Sequence, residues 1–214
     1  MLDTPQHKGR RKQLLEQLLG KFNFDSKLIE AMNKVPRHMF LEYGLDHLAY
    51  LDKPLPIGAR QTISQPYTVA MQSHLLGLNK FDKVLEIGTG CAYQTAVLVE
   101  MGFRVYSIER QKSLYLLAQK NLARLEYHSP VLFYGDGFAG LPQFAPFKGI
   151  LITCGAPEIP QTLLKQLTIG GRMVVPVGED IQTMIVVERV GEDEFVKTEH
   201  GDYRFVPMLG GVEK

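Results

Sequence analysis
The period of apolar positions changes along the chain, and the change divides it. Leu14, Leu15, Leu18 and Leu19 recur at the spacing of one helix face. Asp25 or Ser26 can cap a second helix that turns Ile29, Met32 and Val35 inward, with Pro36 near its end. Residues 10 to 50 therefore read as helical. Leu51 to Gln65 carries Pro54, Pro56 and Gly58 and reads as a loop, followed by a helix from Pro66 to Leu76. From residue 83 onward short apolar runs alternate with helical stretches. Strands are expected at Lys83 to Ile87, Arg104 to Ile108, Pro130 to Tyr134, Gly149 to Thr153 and Arg172 to Val177. Helices are expected at Gln94 to Met101, Ser113 to Leu125 and Ile159 to Leu167, with Gly170-Gly171 as a helix stop. Met184 to Val190 and Phe195 to Phe205, joined by Gly191-Glu192-Asp193, read as a hairpin.

Strand–helix alternation implies an α/β fold with a mostly parallel, doubly wound sheet. The hairpin gives that sheet an antiparallel end, and the first 80 residues form a helical extension. We expect a single domain over 1–214, with N-terminal helices and a site loop in 1–80 and a Rossmann-like core in 81–214.

Composition narrows the class. At 214 residues the chain can bury a sizeable core, and 45% apolar with 22% charged residues is ordinary for a globular protein. A formal net charge of +1 argues against a nucleic-acid partner, and no apolar run is long enough to span a membrane. The two cysteines, Cys91 and Cys154, form no CxxC, and the histidines form no HExxH. We expect no metal, a reducing cytoplasmic setting and a monomer.

The chemistry concentrates where the first core strand ends. Val84-Leu85-Glu86-Ile87-Gly88-Thr89-Gly90 runs an apolar strand into two glycines at a helix start, where a ligand can lie against bare backbone. Glu109 ends the next strand, 19 residues after Gly90, where a carboxylate can accept from both hydroxyls of a ribose. A nucleoside cofactor is implied. Dinucleotides and S-adenosylmethionine share a Gly-x-Gly turn. Here the third fingerprint glycine is missing, Ala92-Tyr93 standing in its place. Glu86 would repel a pyrophosphate but tolerate a sulfonium cofactor that carries an amino group. We therefore expect S-adenosylmethionine, and the antiparallel end of the sheet resembles that of the class I methyltransferases. Gly135-Asp136-Gly137 lies at the same sheet edge. It is either a plain turn or an acceptor for an adenine amino group.

Seven blocks then occur in order: Leu55-Pro56-Ile57-Gly58, Gln61-Thr62-Ile63-Ser64-Gln65-Pro66-Tyr67, Glu86 to Gly90, Gly135 to Gly137, Gly170-Gly171-Arg172, Val175-Pro176-Val177-Gly178 and Arg204-Phe205-Val206-Pro207. Together they resemble the bacterial protein-L-isoaspartate (D-aspartate) O-methyltransferases. The resemblance implies methylation of the free carboxylate of isoaspartyl residues in damaged proteins and peptides. The ester then collapses to a succinimide, whose hydrolysis restores some normal linkage. It also implies roles. Ser64 matches the active-site serine, and Ile63 and Gln65 lie in the loop that faces cofactor and substrate. Glu109 and Asp136-Gly137 match the ribose and adenine contacts. We place Glu86, Gly88, Thr89, Gly90 and Arg110 with the cofactor, and Thr62, Val206 and Pro207 with the acceptor.

A carboxylate, with a pKa of about 4, is already a nucleophile at neutral pH. Positioning and desolvation suffice, and no general base is required. On spacing alone Ser64 reads first as a cap for the next helix. Arg204 to Pro207 is expected to end in an exposed strand with which a peptide could pair. Two positions depart from the family. Arg60 stands where glycine is usual before the Gln-Thr-Ile-Ser block, and Cys91-Ala92 replaces Ser-Gly. The rival readings are a small-molecule or RNA methyltransferase of the same fold, and a binding module without activity.

Overall fold
The computed structural model describes residues 2–213. Helix α1 (Pro5–Lys21) starts earlier than its leucine stripe suggests, because Thr4 and His7 form a reciprocal cap at its N-terminus. Leu14, Leu15 and Leu18 are buried, whereas Leu19 is 45% exposed and lies outside the stripe. Helix α2 (Ser26–Lys34) is capped by the Asp25 side chain, which accepts from Lys27 N–H.

The stretch read as a loop contains a hairpin, β1 (Leu55–Gly58) and β2 (Gln61–Ile63). Gly58 pairs with Gln61, so Ala59 and Arg60 make a two-residue turn with φ of 48° and 54°. Positive φ at both central residues is the signature of a type I′ turn, a geometry that glycine adopts freely and a side chain resists. The Arg60 departure thus sits at a left-handed position, exposed and bordering neither the cavity nor the cleft described below. Arg60→Gly is expected to raise stability by about 0.5 kcal/mol, since about 1 kcal/mol of left-handed cost outweighs the looser unfolded chain. Arg60→Val should lower it. Equal melting temperatures for the two variants would refute this account.

Next come α3 (Pro66–Leu76), β3 (Lys83–Ile87), α4 (Tyr93–Glu100), β4 (Arg104–Glu109), α5 (Lys112–Arg124), β5 (Val131–Tyr134), β6 (Phe147–Ile152), α6 (Gln161–Leu164), β7 (Leu167–Val177), β8 (Gln182–Arg189) and β9 (Phe195–Tyr203). The seven core strands form one sheet in the order β5-β4-β3-β6-β7-β8-β9. Pairing is parallel from β5 to β7 and antiparallel across β7-β8-β9, the mixed sheet expected. Gly170-Gly171 is not a helix stop. Helix α6 is a single turn ending at Leu164, and the glycines lie inside β7, where the register with β6 slips between Phe147 and Gly149. A bulge uses the same glycines that helix ends favour, so spacing alone could not separate the two.

Strands β4 and β5 extend the sheet to one side of β3, and the chain then returns to place β6 on the other side. This reversal opens a crevice at the carboxyl ends of β3, β4 and β6, where open α/β sheets bind ligands. Ala92 begins α4 with φ of 71° and is fully buried, so its methyl keeps the packing at the cost of a left-handed backbone.

Candidate active site
A cavity of about 850 Å³, counting its open mouth, fills the crevice. The glycine loop after β3 hooks over β4, with Gly88 and Thr89 N–H both donating to Ile108 C=O. Gly88 has φ of +95°, and a Cβ there would lie 2.5 Å from Thr153 Oγ1. That hydroxyl follows β6 and donates to the Ile87 and Gly88 carbonyls at 2.9 and 2.7 Å. Gly137 approaches as closely from the other side, since its Cβ would meet Ile87 Cγ2 at 2.5 Å. Both glycines line the cavity, and the packing of Thr153 and Ile87 against them leaves no room for a side chain at either position.

Glu109 lines this cavity and is almost wholly buried. Its Oε2 accepts from Gly90 N–H at 2.9 Å and its Oε1 from Gln111 N–H at 2.8 Å. Burial pushes its pKa up, against the pull of those backbone donors. Each oxygen keeps a lone pair beyond its backbone bond, so the carboxylate can still accept from a ligand diol. Glu109 also serves the start of α5, and the two roles coexist.

Glu86 does not line the cavity. It is fully buried beneath the loop, where Oε2 accepts from Thr95 Oγ1 and Ser107 Oγ at 2.5 and 2.7 Å. Burial raises its pKa to about 7, only partly offset by those two hydroxyls. Ser107 also bonds Thr89 Oγ1 at 2.6 Å, so Glu86 braces the glycine loop from below. Asp136 is likewise absent from the cavity wall. Its oxygens accept from Phe138 and Gly211 N–H at 2.9 and 2.7 Å.

A second, more open cleft lies beside the cavity, between the start of α3 and the end of β9. Thr62, Ser64, Thr153 and Val206 border both spaces. Ile63, Gly88, Thr89, Gly90, Arg110, Gly137 and Pro207 face the cavity, and Gln65 faces the cleft alone. Ser64 does not cap α3. Asp52, fifteen residues upstream, accepts from Tyr67 N–H at 2.9 Å and takes that role. Among the described residues the Ser64 hydroxyl has no hydrogen-bond partner, although the residue is half-buried. The exposed strand end expected at 204–207 is also revised. β9 stops at Tyr203, and Val206 C=O and Met208 N–H pair with Gly155 at 2.8 and 2.7 Å.

The decisive comparison is with the protein-L-isoaspartate(D-aspartate) O-methyltransferase family, whose sequence model matches residues 9–213. The chain belongs to this family. A relative named protein-L-isoaspartate O-methyltransferase from Christiangramia forsetii is 50% identical over 209 residues, 98% of each chain. One from Flavobacterium psychrophilum is 51% identical over the same share. A solved protein-L-isoaspartate O-methyltransferase superposes with a TM-score of 0.85 at 29% identity, covering 94% of this chain and 67% of that one. A Plasmodium falciparum protein, solved with S-adenosyl-L-homocysteine, shares the fold, with a TM-score of 0.82, 23% identity and coverage of 93% and 98%. The fold is that of class I methyltransferases, and the cofactor of the family is S-adenosylmethionine.

The isoaspartyl family reading leaves several wall residues that the sequence did not single out. Ile57 comes from the unforeseen hairpin, Thr153 and Cys154 follow β6, and Met208 and Leu209 follow the last motif. Chemistry-bearing motifs do not mark such positions, since most supply only shape. Cys91, at the start of α4, is not activated: burial pushes its thiol up to about 11, and that of Cys154 up to about 12. Asp3, His7 and His38 hold ligand-type atoms within 4.8 Å of one another, a cluster that linear spacing hides. Asp3 binds Arg11 through both oxygens, and the two imidazoles stack at 3.8 Å. Lone pairs of stacked rings run parallel and do not converge on one ion. No helix among the described residues is long and apolar enough to cross a membrane.

Proposed function
We infer that this chain transfers a methyl group from S-adenosylmethionine to the free carboxylate of L-isoaspartyl residues, starting the repair of damaged proteins. The observation that carries the assignment of each substrate to its space is the boundary that cavity and cleft share. Thr62, Ser64 and Thr153 supply hydroxyls there, Val206 supplies an apolar wall, and none of the four is a base at neutral pH. Such a lining suits a nucleophile that arrives already ionised. S-adenosylmethionine supplies a methyl group on a positively charged sulfur.

In this reading Glu109 accepts from the ribose hydroxyls, and the backbone at Gly88 and Gly137 packs against the nucleoside. Glu86 sets the glycine loop from beneath. Ile63 and Pro207 wall the cavity, and Gln65 faces the acceptor. Ser64 donates its hydrogen to the acceptor carboxylate and orients it in line, with Thr62 as a second donor. It is no covalent nucleophile in this reading, because among the described residues no base is hydrogen-bonded to its hydroxyl to take its proton. Residues 1–214 work as one unit, since hairpin and core line the cavity together. A monomer in the cytoplasm, with no nucleic-acid partner, fits the net charge of +1 and two free cysteines.

Labelled methyl transfer to a matched pair of isoaspartyl and aspartyl peptides tests the function. Only the isoaspartyl member should be labelled; equal labelling of both, or of neither, would sink the assignment. Ser64→Ala should lower kcat/KM on the isoaspartyl peptide by about 10- to 100-fold, the equivalent of one hydrogen bond to a charged group. Its cofactor Kd should stay within about twofold. An unchanged rate would remove Ser64 from the mechanism.

A further inference from the structure
Two buried glutamines tie the helix behind the Ser64 loop to elements on either side of the site. Helix α3 starts at Pro66, two residues after Ser64, and Asp52 holds its first turn through Tyr67 N–H. Further along the helix, Gln72 Nε2 donates to Ile152 C=O at 2.8 Å. Ile152 is the last residue of β6, and the residue after it is Thr153, which borders both cavity and cleft. Ser73 makes the second tie. Its Oγ accepts from Gln94 Nε2 and donates to Val69 C=O, both at 2.8 Å. Gln94 is the second residue of α4, just beyond the glycine turn, and Gln94 and Val69 both line the cavity. One helix is thus bonded to the strand end that carries Thr153 and to the helix that follows Gly88 and Gly90.

Gln72, Ser73 and Gln94 are all buried, yet each amide is only half used. Among the described residues neither Gln72 Oε1 nor Gln94 Oε1 has a hydrogen-bond partner. A buried acceptor left unpaired costs about 1–3 kcal/mol. An apolar side chain of the same shape avoids that cost, so fold stability alone does not favour an amide at either position. What the amide adds is direction. Apolar neighbours such as Val69, Ala70 and Leu76 let a helix shift slightly against its sheet, whereas a hydrogen bond fixes distance and angle at one atom.

We propose that Gln72 and Gln94 are positioning residues for methyl transfer: they fix α3 between Thr153 and the glycine turn, and so fix the Ser64 hydroxyl relative to the cofactor. The inference rests on the isoaspartyl methyl-transfer reading of the site. An in-line displacement tolerates little misplacement of the group that orients the nucleophile. Ser64 has no hydrogen bond of its own to hold it among the described residues, so its place depends on the helix it precedes. Gln72 sets that helix against the strand end, and Gln94 sets it against the cofactor loop. Neither glutamine touches the reacting carboxylate in this account; both act through Ser64.

Steady-state kinetics on an isoaspartyl peptide, calorimetry of S-adenosylmethionine and melting curves test the proposal. The chains compared are the full chain, Gln72→Leu, Gln94→Leu, and each of these combined with Ser64→Ala. Each leucine variant should lower kcat about tenfold at saturating substrates, less than the roughly 100-fold that a displacement of about 1 Å can cost. The peptide KM and the cofactor Kd should stay within about threefold, because alignment is lost and contacts are kept. Tm should stay within about 4 °C, since removing an unpaired acceptor offsets much of the lost bond. In the Ser64→Ala chain the same substitutions should cost almost nothing further, because the group they position is gone. A purely structural role predicts the reverse: a lower Tm, and an equal loss of rate with and without Ser64. An unchanged kcat in either variant overturns the role of that glutamine. So does a loss that persists undiminished in the Ser64→Ala chain. A Gln94→Leu chain with a raised cofactor Kd and an unchanged kcat would make Gln94 a cofactor contact and overturn its positioning role. Where a leucine variant does not fold, Gln72→Met and Gln94→Met carry the same predictions. A full chain that methylates no isoaspartyl peptide overturns the functional reading itself.

Discussion

Glu109→Ala is expected to weaken S-adenosylmethionine binding at least about 100-fold in calorimetry, or about 3 kcal/mol. Two charge-assisted hydrogen bonds to a diol each contribute about 1.5–3 kcal/mol when formed in a buried site, less the cost of keeping the carboxylate there. Glu109 stands almost fully buried, with its pKa pushed up by that burial. Burial opposes its charge, and a bound diol would offset part of that cost. Alanine also frees Gly90 N–H and Gln111 N–H, which loosens the glycine loop and the start of α5 together. Glu109→Gln keeps the shape and one acceptor, so its loss should be smaller, about tenfold. An affinity for Glu109→Ala within about threefold of the parent would contradict the ribose role.

Arg37→Ala is expected to lower stability by about 3–5 kcal/mol, or roughly 10 °C in Tm for a chain of this length. Arg37 is fully buried. It donates from Nε to Ala49 C=O at 3.0 Å and from Nη2 to Lys53 C=O at 3.5 Å, and its guanidinium lies 4.9 Å from the centre of the Tyr93 ring. Burial pushes its pKa down, partly countered by the facing Tyr93, Cys91 and Asp52. Truncation removes the packing of a large side chain and strips a buried carbonyl of its donor, two costs that add. The segment it pins, 49–53, carries Asp52, which caps α3 and also pairs with Lys21 at 2.7 Å. Loss of Arg37 should therefore loosen the Ser64 loop as well as the fold. Arg37→Met, which keeps most of the volume, should cost clearly less. A melting temperature for Arg37→Ala within about 2 °C of the parent would refute the anchoring role.

Much of the core was legible because short-range periodicity encodes it. Of the parallel strands, β3, β4, β5 and β7 lie where apolar runs end at glycine or an acid. The antiparallel end follows from two β-rich runs joined by Gly191-Glu192-Asp193. What failed locally did so for local reasons. The hairpin at 55–63 is short, interrupted by Pro56, and turns at Ala59-Arg60, residues that do not announce a type I′ turn. Gly170-Gly171 reads as punctuation, and a bulge inside β7 uses that punctuation as well as a helix end does.

The sequence by itself determined the alternating core, the glycine turn at Gly88 and Gly90, the acid at Glu109 and, through the blocks around Ser64 and Val206, the isoaspartyl family. Side-chain targets were decided only in three dimensions, because the partners are distant in the chain. Glu86 turns to Thr95 and Ser107, not to the ligand, since the strand leaves it beneath the loop. Asp52 caps α3, which leaves the Ser64 hydroxyl free for an acceptor. Arg110 reaches Glu213, 103 positions away, and Asp136 reaches Gly211, 75 positions away. A motif specifies which groups are present at a sheet edge. Which of them face the ligand depends on what the rest of the chain packs against them.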